Sequence, residues 1–292
     1  MVKAGLPGVA EAVRNLAGSG FESIQPFFWQ TIGNMDLADL ALRLRDAIGD
    51  KDVTMPTLGV FGNALEGDAA AEETRRSWEA AIDAAHHFGA DVVAGFAGRL
   101  RGRPIDESLP RFAEVWGPLA RRAADRGVRI AFENCAMEGS WASGDWNIAV
   151  TPDAWERMFN ALPDENLGLE WEPCHQLYWL IDPTPQIRKW AARIFHVHGK
   201  DATVRHDVIR EHGYPGPVKA VFMRTPGFGD SNWTDIISEL RLVGYTGSID
   251  IEGWHDPVYR DALEMQGQLH ALRYLKACRG GERFTDYANP AR

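Results

Sequence analysis

A (β/α)8 barrel, an α/β fold, is the class the sequence predicts, on three observations. Short apolar stretches alternate with longer amphipathic ones, seven such units follow one another, and no linker or shift of composition interrupts them. The 292 residues match the size of one such barrel. A single domain over 1–292 is therefore expected.

The elements follow in order. The chain opens on a helix around 5–17, where a barrel opens on a strand, so strand 1 is expected to be short or missing. Strands are expected at 20–28, 52–61, 90–98, 128–134, 167–173, 193–199 and 247–253, and helices at 35–48, 69–89, 108–127, 151–162 and 232–244. Several helices carry a cap with Pro or acid in the first turn and end at Gly, as at Thr151-Pro152-Asp153 and Gly127. A doubly wound open sheet is the alternative, but no GxGxxG follows a first strand. Residues 135–150 and 200–231 form two long connections, rich in Trp, His, Arg and Tyr, expected as lids over the C-terminal face.

Bulk properties narrow the function. A formal net charge of −10 argues against a nucleic-acid or anionic-membrane surface. No apolar run approaches the roughly 18 residues of a membrane span, and the start lacks a signal-peptide core. Three widely spaced cysteines, Cys135, Cys174 and Cys278, make neither a disulfide framework nor a CxxC site and point to a reducing cytoplasm. Of the eleven tryptophans, Trp78, Trp116 and Trp155 are expected in the core. Trp29, Trp141, Trp146 and Trp254 lie at or beyond strand ends, where they can wall a small polar ligand.

Strand parity supplies the site. In "VRIAFEN", Ile130 and Phe132 oppose Arg129, Ala131 and Glu133; in "LGLEWEP", Leu169 and Trp171 oppose Gly168, Glu170 and Glu172. In "RIFHVHG", Phe195 and Val197 oppose His196 and His198, and in "SIDIEGW", Ile249 and Ile251 oppose Asp250 and Glu252. The outer face of a barrel packs on helices, so Glu133, Glu172, His198 and Glu252 point inward from four strand ends. Three carboxylates and an imidazole converging there call for a cation. Oxygen-rich ligation with one histidine suits Mn²⁺, Mg²⁺ or Co²⁺ better than a thiolate zinc site.

The segments "AFENCAM", "LGLEWEPCHQLYWLID", "IFHVHGKDA" and "GSIDIEG" resemble the signature segments of the xylose-isomerase-like TIM barrel superfamily, and within it the sugar phosphate isomerase/epimerase branch. The likeness runs from about Gly20 to Leu275. It implies a Glu–Asp–His–Glu metal set carried here by Glu133, Glu172, His198 and Glu252, with Mn²⁺ the first choice and Mg²⁺, Co²⁺ or Zn²⁺ the alternatives. It implies Glu133 and Glu252 as the acid/base pair, and His175 and Arg205 as substrate-binding residues. This sequence departs from the pattern at Glu172, which stands in "EPCH" where the family has aspartate in DPxH, and at "GWHDP" after Glu252.

Blander roles stand beside these. Glu133 and Glu252 could pair with Arg129 or Arg99, but their common phase favours the site. His196, one layer deeper than His198, is expected as a hydrogen-bonded core histidine. Lys200 and Asp201 open the second lid, with Lys200 placed to hold an anionic oxygen. Asn63, Arg99 and Trp254 sit at strand ends where they can touch substrate.

The expected function is a divalent-metal sugar isomerase or epimerase that removes a proton next to a carbonyl, the ion stabilising the enediolate. A metal-dependent lyase cleaving a 3-keto-glycoside by β-elimination is the alternative, and a non-catalytic barrel binding a sugar or partner subunit is a third reading. An endonuclease-IV-like nuclease is disfavoured by the acidic charge. Expected partners are a small carbohydrate or glycoside, with a homo-oligomer or small partner subunit compatible with the chain, and neither nucleic acid nor membrane.

Overall fold

The structure is a computed structural model, and it describes residues 1–281. Eight strands form one sheet in chain order: β1 (Val2–Lys3), β2 (Pro26–Trp29), β3 (Thr57–Phe61), β4 (Val92–Gly95), β5 (Arg129–Glu133), β6 (Leu167–Trp171), β7 (Ile194–Gly199) and β10 (Ile249–Ile251). From β1 to β7 each neighbouring pair is parallel. Strand 1 is present and short, as its two residues show. It is held because Val2 and Ala4 donate to the carbonyls of Gln25 and Phe27, at 2.8 Å each.

By compactness the chain divides into two units. The first comprises residues 1–175, 192–198 and 247–250, and the second 176–191, 199–246 and 251 onward.

The first unit carries α1 (Val9–Gly18), α2 (Leu37–Ile48), α3 (Ala69–Phe88), α4 (Ile105–Ala124) and α5 (Pro152–Ala161). Asp36, Asp68 and Thr151 cap α2, α3 and α5 by accepting backbone N–H groups of the first turn. The helix-facing core follows the parity rule. Phe132 of β5 packs edge-on against Trp116 of α4 at 4.7 Å, and Trp116 against Trp78 of α3 at 4.7 Å. Trp78, Trp116 and Trp155 are all fully buried, as expected of core residues. Gly95 makes the close approach possible, because a Cβ there would stand 1.9 Å from the Val60 carbonyl oxygen, at φ +154°.

One residue departs from its expected face. β7 is bulged against β6: Leu169 pairs with Ile194 but Glu170 pairs with His196, so Phe195 is an extra residue. Instead of facing the helices, Phe195 clusters with Val92, Ala94 and Ala131, on the same face as Glu133, and Arg129 lies over its ring at 4.9 Å. Gly168 leaves room for it, since a Cβ there would meet the Phe195 ring at 2.6 Å. The bulge changes strand phase at its start while His196 and His198 keep the expected one.

The second unit holds α7 (Pro183–Trp190), α8 (His206–His212), α9 (Trp233–Leu242), α10 (Glu264–Cys278) and the antiparallel pair β8 (Asp201–Val204) and β9 (Val221–Arg224), while α6 (Pro173–Tyr178) runs across the boundary. The 200–231 connection, expected as a lid loop, is therefore a strand–helix–strand excursion rather than irregular chain. Short alternating runs, "DATV" and "VFMR", are enough for a hairpin once they pair. Residues 135–150 contain no helix or strand, as expected of a loop.

Candidate metal centre

Glu133 ends β5, Glu172 directly follows β6, and His198 lies near the end of β7. One ligand atom from each lies within 4.8 Å of the others, and all three residues are buried. His198 Nδ1 is 3.1 Å from Glu133 Oε1. Its Nε2 faces the Gln25 side-chain oxygen at 2.7 Å and Glu170 Oε1 at 3.1 Å, both acceptors. With Gln25 so oriented, Nε2 carries the proton and Nδ1 is the nitrogen turned to Glu133.

Buried asparagines fix the backbone beneath these side chains. Asn134 donates to the Glu172 carbonyl at 2.9 Å and accepts the Glu172 N–H at 2.8 Å. Asn147 donates to the carbonyls of Glu133 and Cys135 and accepts the N–H of Ala97, at 2.8, 2.8 and 3.0 Å. Asn63 has the same kind of role. It donates to the carbonyls of Arg99 and Asp145 at 2.6 and 2.8 Å and accepts from Leu65 and Arg99 at 3.0 and 2.9 Å, so its amide is occupied by backbone rather than turned to a ligand. Arg99 is likewise a brace: fully buried, it donates to the carbonyls of Arg103, Ser140 and Trp141 and holds the 135–150 loop.

A buried polar layer lies below. His196 stands between Glu170 Oε1 and Asp250 Oδ2, each at 2.8 Å. Gln25 donates to Glu170 at 2.6 Å and the Ser23 hydroxyl to Asp250 at 2.5 Å, which ties the approach to β2 to the last strand. Burial alone pushes the Glu170 carboxyl up. The charge of His198 and the hydrogen bonds of both histidines overcome it and hold Glu170 at about 2. Asp250 is likewise raised by burial and brought down to about 2 by its hydrogen bond and charge interaction with His196. Burial lowers His196, but its two carboxylates win and raise it above its ordinary value. His196 is thus the core histidine expected, with a carboxylate oxygen against each ring nitrogen favouring its charged form.

His175, in α6, is buried with Nε2 2.8 Å from Glu172 Oε1. Burial pushes it down, but the neighbouring Cys174 and Glu172 raise it to about 10. An aromatic shelf reaches out from the centre. Phe61 lies 6.4 Å from the His198 ring and 5.3 Å from Phe96, which meets Trp29 at 6.3 Å. Trp29 pairs with Trp146 at 5.8 Å and is 42% exposed.

In the second unit, the buried Lys200 donates to Glu252 Oε1 at 2.6 Å, and the Glu252 N–H donates to the Gly199 carbonyl at 3.0 Å. Asp201 accepts from Ala202 and Ser231 at 2.8 and 2.9 Å, and burial raises its carboxyl. Arg205 is exposed and forks onto Asp207 at 3.0 and 2.6 Å. Trp254 is 63% exposed.

Sequence reasoning missed Gln25, Asn134 and Asn147 and left Asp250 without a role. For Gln25 a signal existed: Ser23, Gln25 and Phe27 share one phase, so two polar residues sat on an inward face. Asn134 and Asn147 lie in a strand end and a loop, where an asparagine is unremarked.

A model of the Xylose isomerase-like TIM barrel family matches residues 13–278. The chain belongs to that family. Its relatives include the rhizopine catabolism protein MocC of Rhizobium meliloti, 27% identical over 200 residues that cover 67% of this chain and 57% of that protein. The inosose dehydratase of Clostridium beijerinckii is 26% identical over 223 residues, 70% of either chain. Among solved structures, D-psicose 3-epimerase superposes with a TM-score of 0.70 at 18% identity over 96% of both chains. The 3-keto-D-glucoside 4-epimerase of E. coli gives 0.68 at 15% identity over 94% of this chain and 95% of that one. In this member of the family a buried carboxylate–imidazole cluster could hold a metal. Among the described residues, no helix is long and apolar enough to cross a membrane.

Proposed function

We propose that the chain is a divalent-metal-dependent carbohydrate isomerase or epimerase that works by proton transfer at a carbon next to a carbonyl. The convergence of Glu133, Glu172 and His198 on one buried point carries this reading. Two carboxylates beside an imidazole, shielded from water, form a donor set that suits a hard or borderline divalent ion, Mn²⁺ first. Glu252 is the proposed fourth ligand, on the phase it shares with the other three along its own strand. An ion held there supplies Lewis acidity to carbonyl and hydroxyl oxygens of the substrate.

The protein's own groups do the rest. One carboxylate of the Glu133–Glu252 pair takes the proton from the carbon, and the other returns one. Return to the opposite face of the same carbon epimerises it, whereas return to the neighbouring carbon exchanges aldose and ketose. Lys200 offsets the Glu252 charge and offers donors to a developing oxyanion. His175, held by Glu172, is the proposed donor to a substrate hydroxyl.

A second reading is favoured by the partly exposed Trp29–Trp146 shelf, a surface for a ring larger than one sugar. On a 3-keto-glycoside the same base would remove the proton next to the ketone. The bond to the β leaving group would then break with its electron pair, and the acid partner would protonate the leaving atom. Relatives named inosose dehydratase and 3-keto-D-glucoside 4-epimerase support keto-substrates of this kind.

The test is solvent-deuterium incorporation into a panel of ketoses and 3-keto-glycosides by the Mn²⁺-loaded protein. Wash-in next to the carbonyl, lost in Glu133→Gln, is expected. No wash-in on any member, with metal bound, contradicts the proposal.

A further inference from the structure

The short run Glu172-Pro173-Cys174-His175 places a carboxylate, a thiol and an imidazole within one turn. One ligand atom from each lies within 4.8 Å of the others, and all three residues are buried. His175 Nε2 already stands 2.8 Å from Glu172 Oε1. The group lies wholly in the first unit and includes neither Glu133 nor His198.

We propose that Glu172, Cys174 and His175 form a separate, thiolate-bearing site for a borderline-soft divalent ion of the zinc and cobalt class, and that filling it draws Glu172 away from Glu133 and His198. The second clause rests on the centre proposed above, whereas the first does not. The donor chemistry separates the two positions. Glutamate oxygens with one imidazole accept Mn²⁺ or Mg²⁺, while a sulfur and a nitrogen beside one carboxylate select zinc or cobalt. Glu172 is common to both sets, and an oxygen turned to an ion at Cys174 and His175 is withdrawn from the other. His175 is engaged in the same event, so a substrate hydroxyl loses its donor. The site is therefore inhibitory: an ion bound at Cys174 and His175 silences the neighbouring centre. As the Sγ–metal bond forms, the thiol proton leaves to solvent, as does any second proton on His175, and no oxidation state changes.

Cobalt reports the site directly, through the near-ultraviolet charge-transfer band of a thiolate–cobalt bond. Titrating the full chain with Co²⁺ is expected to raise a saturable band that vanishes in Cys174→Ser and Cys174→Ala and persists in Cys135→Ser and Cys278→Ser. Circular dichroism of each variant checks that it folds. Glu133→Gln should keep the band while losing Mn²⁺, which separates this site from the proposed centre. Zn²⁺ should weaken Mn²⁺ binding, followed by Mn²⁺ paramagnetic resonance, on the order of 10-fold more in the wild type than in Cys174→Ser, where only direct competition at the centre remains. No band at saturating Co²⁺, or a band that survives in a folded Cys174 variant, overturns the site. Equal Zn²⁺ competition in wild type and Cys174→Ser overturns the inhibitory coupling.

Discussion

His198 Nδ1 lies 3.1 Å from Glu133 Oε1, while Nε2 on the other side of the ring is held by Gln25 at 2.7 Å. A ligating histidine needs this asymmetry, one nitrogen donating its proton to a fixed acceptor and the other turned toward the carboxylates that would share the ion. Replacing the acceptor should therefore weaken the ligand without touching it. Gln25→Ala is expected to lower Mn²⁺ affinity about 10- to 100-fold, measured by isothermal titration.

The Glu170–His196–Asp250 triad is fully enclosed, with each contact at 2.8 Å. Removing its central cation leaves two carboxylates facing each other in a medium that cannot solvate them. His196→Ala should cost about 3–5 kcal/mol in urea unfolding.

The same triad sets a pH dependence. Glu170 and Asp250 titrate at about 2 in the folded chain, below their unfolded values near 4. Their contribution is thus present above about pH 4 and is lost as pH falls toward 2. His196 is raised, so its contribution is complete below about 6.5 and fades as pH climbs through its raised value. Melting temperature should fall on the acid side between about pH 4 and 2, and His196→Asn should flatten that fall.

Much of this was legible in the chain. β5, β6 and the end of β7 obey a period of two, so Glu133, Glu172 and His198 could be phased from their apolar neighbours alone. Phe195 could not, because a bulge adds a residue without leaving a mark in composition. Gln25 was hidden for another reason: its partners, Glu170 and His198, lie far along the chain, and only closure of the sheet brings them to it. Asn63 and Arg99 had the right address at strand ends, but their side chains serve local partners, and an address does not specify an orientation. The 200–231 stretch read as loop because four-residue strands fall below what periodicity can separate.

Phe195 gives the packing a specific test. A Cβ on Gly168 would stand 2.3 Å from the Arg193 carbonyl oxygen and 2.6 Å from the Phe195 ring. Gly168→Ala should destabilise the fold by about 1–3 kcal/mol, and Phe195→Leu in the same chain should return part of it, read by chemical denaturation.

Arg99 braces the 135–150 loop, since its guanidinium donates to two loop carbonyls, those of Ser140 and Trp141, and to that of Arg103, and burial lowers its pKa. Arg99→Met should leave the sheet intact and raise amide exchange over residues 138–146, observed by mass spectrometry.

The central claim is that Glu133, Glu172 and His198 hold one divalent ion. Anomalous diffraction from Mn²⁺-loaded crystals tests it most directly. A single strong peak bonded to His198 Nδ1 and to carboxylate oxygens of Glu133 and Glu172 is the expected result. No peak at saturating Mn²⁺, or a peak bonded to none of the three, contradicts it.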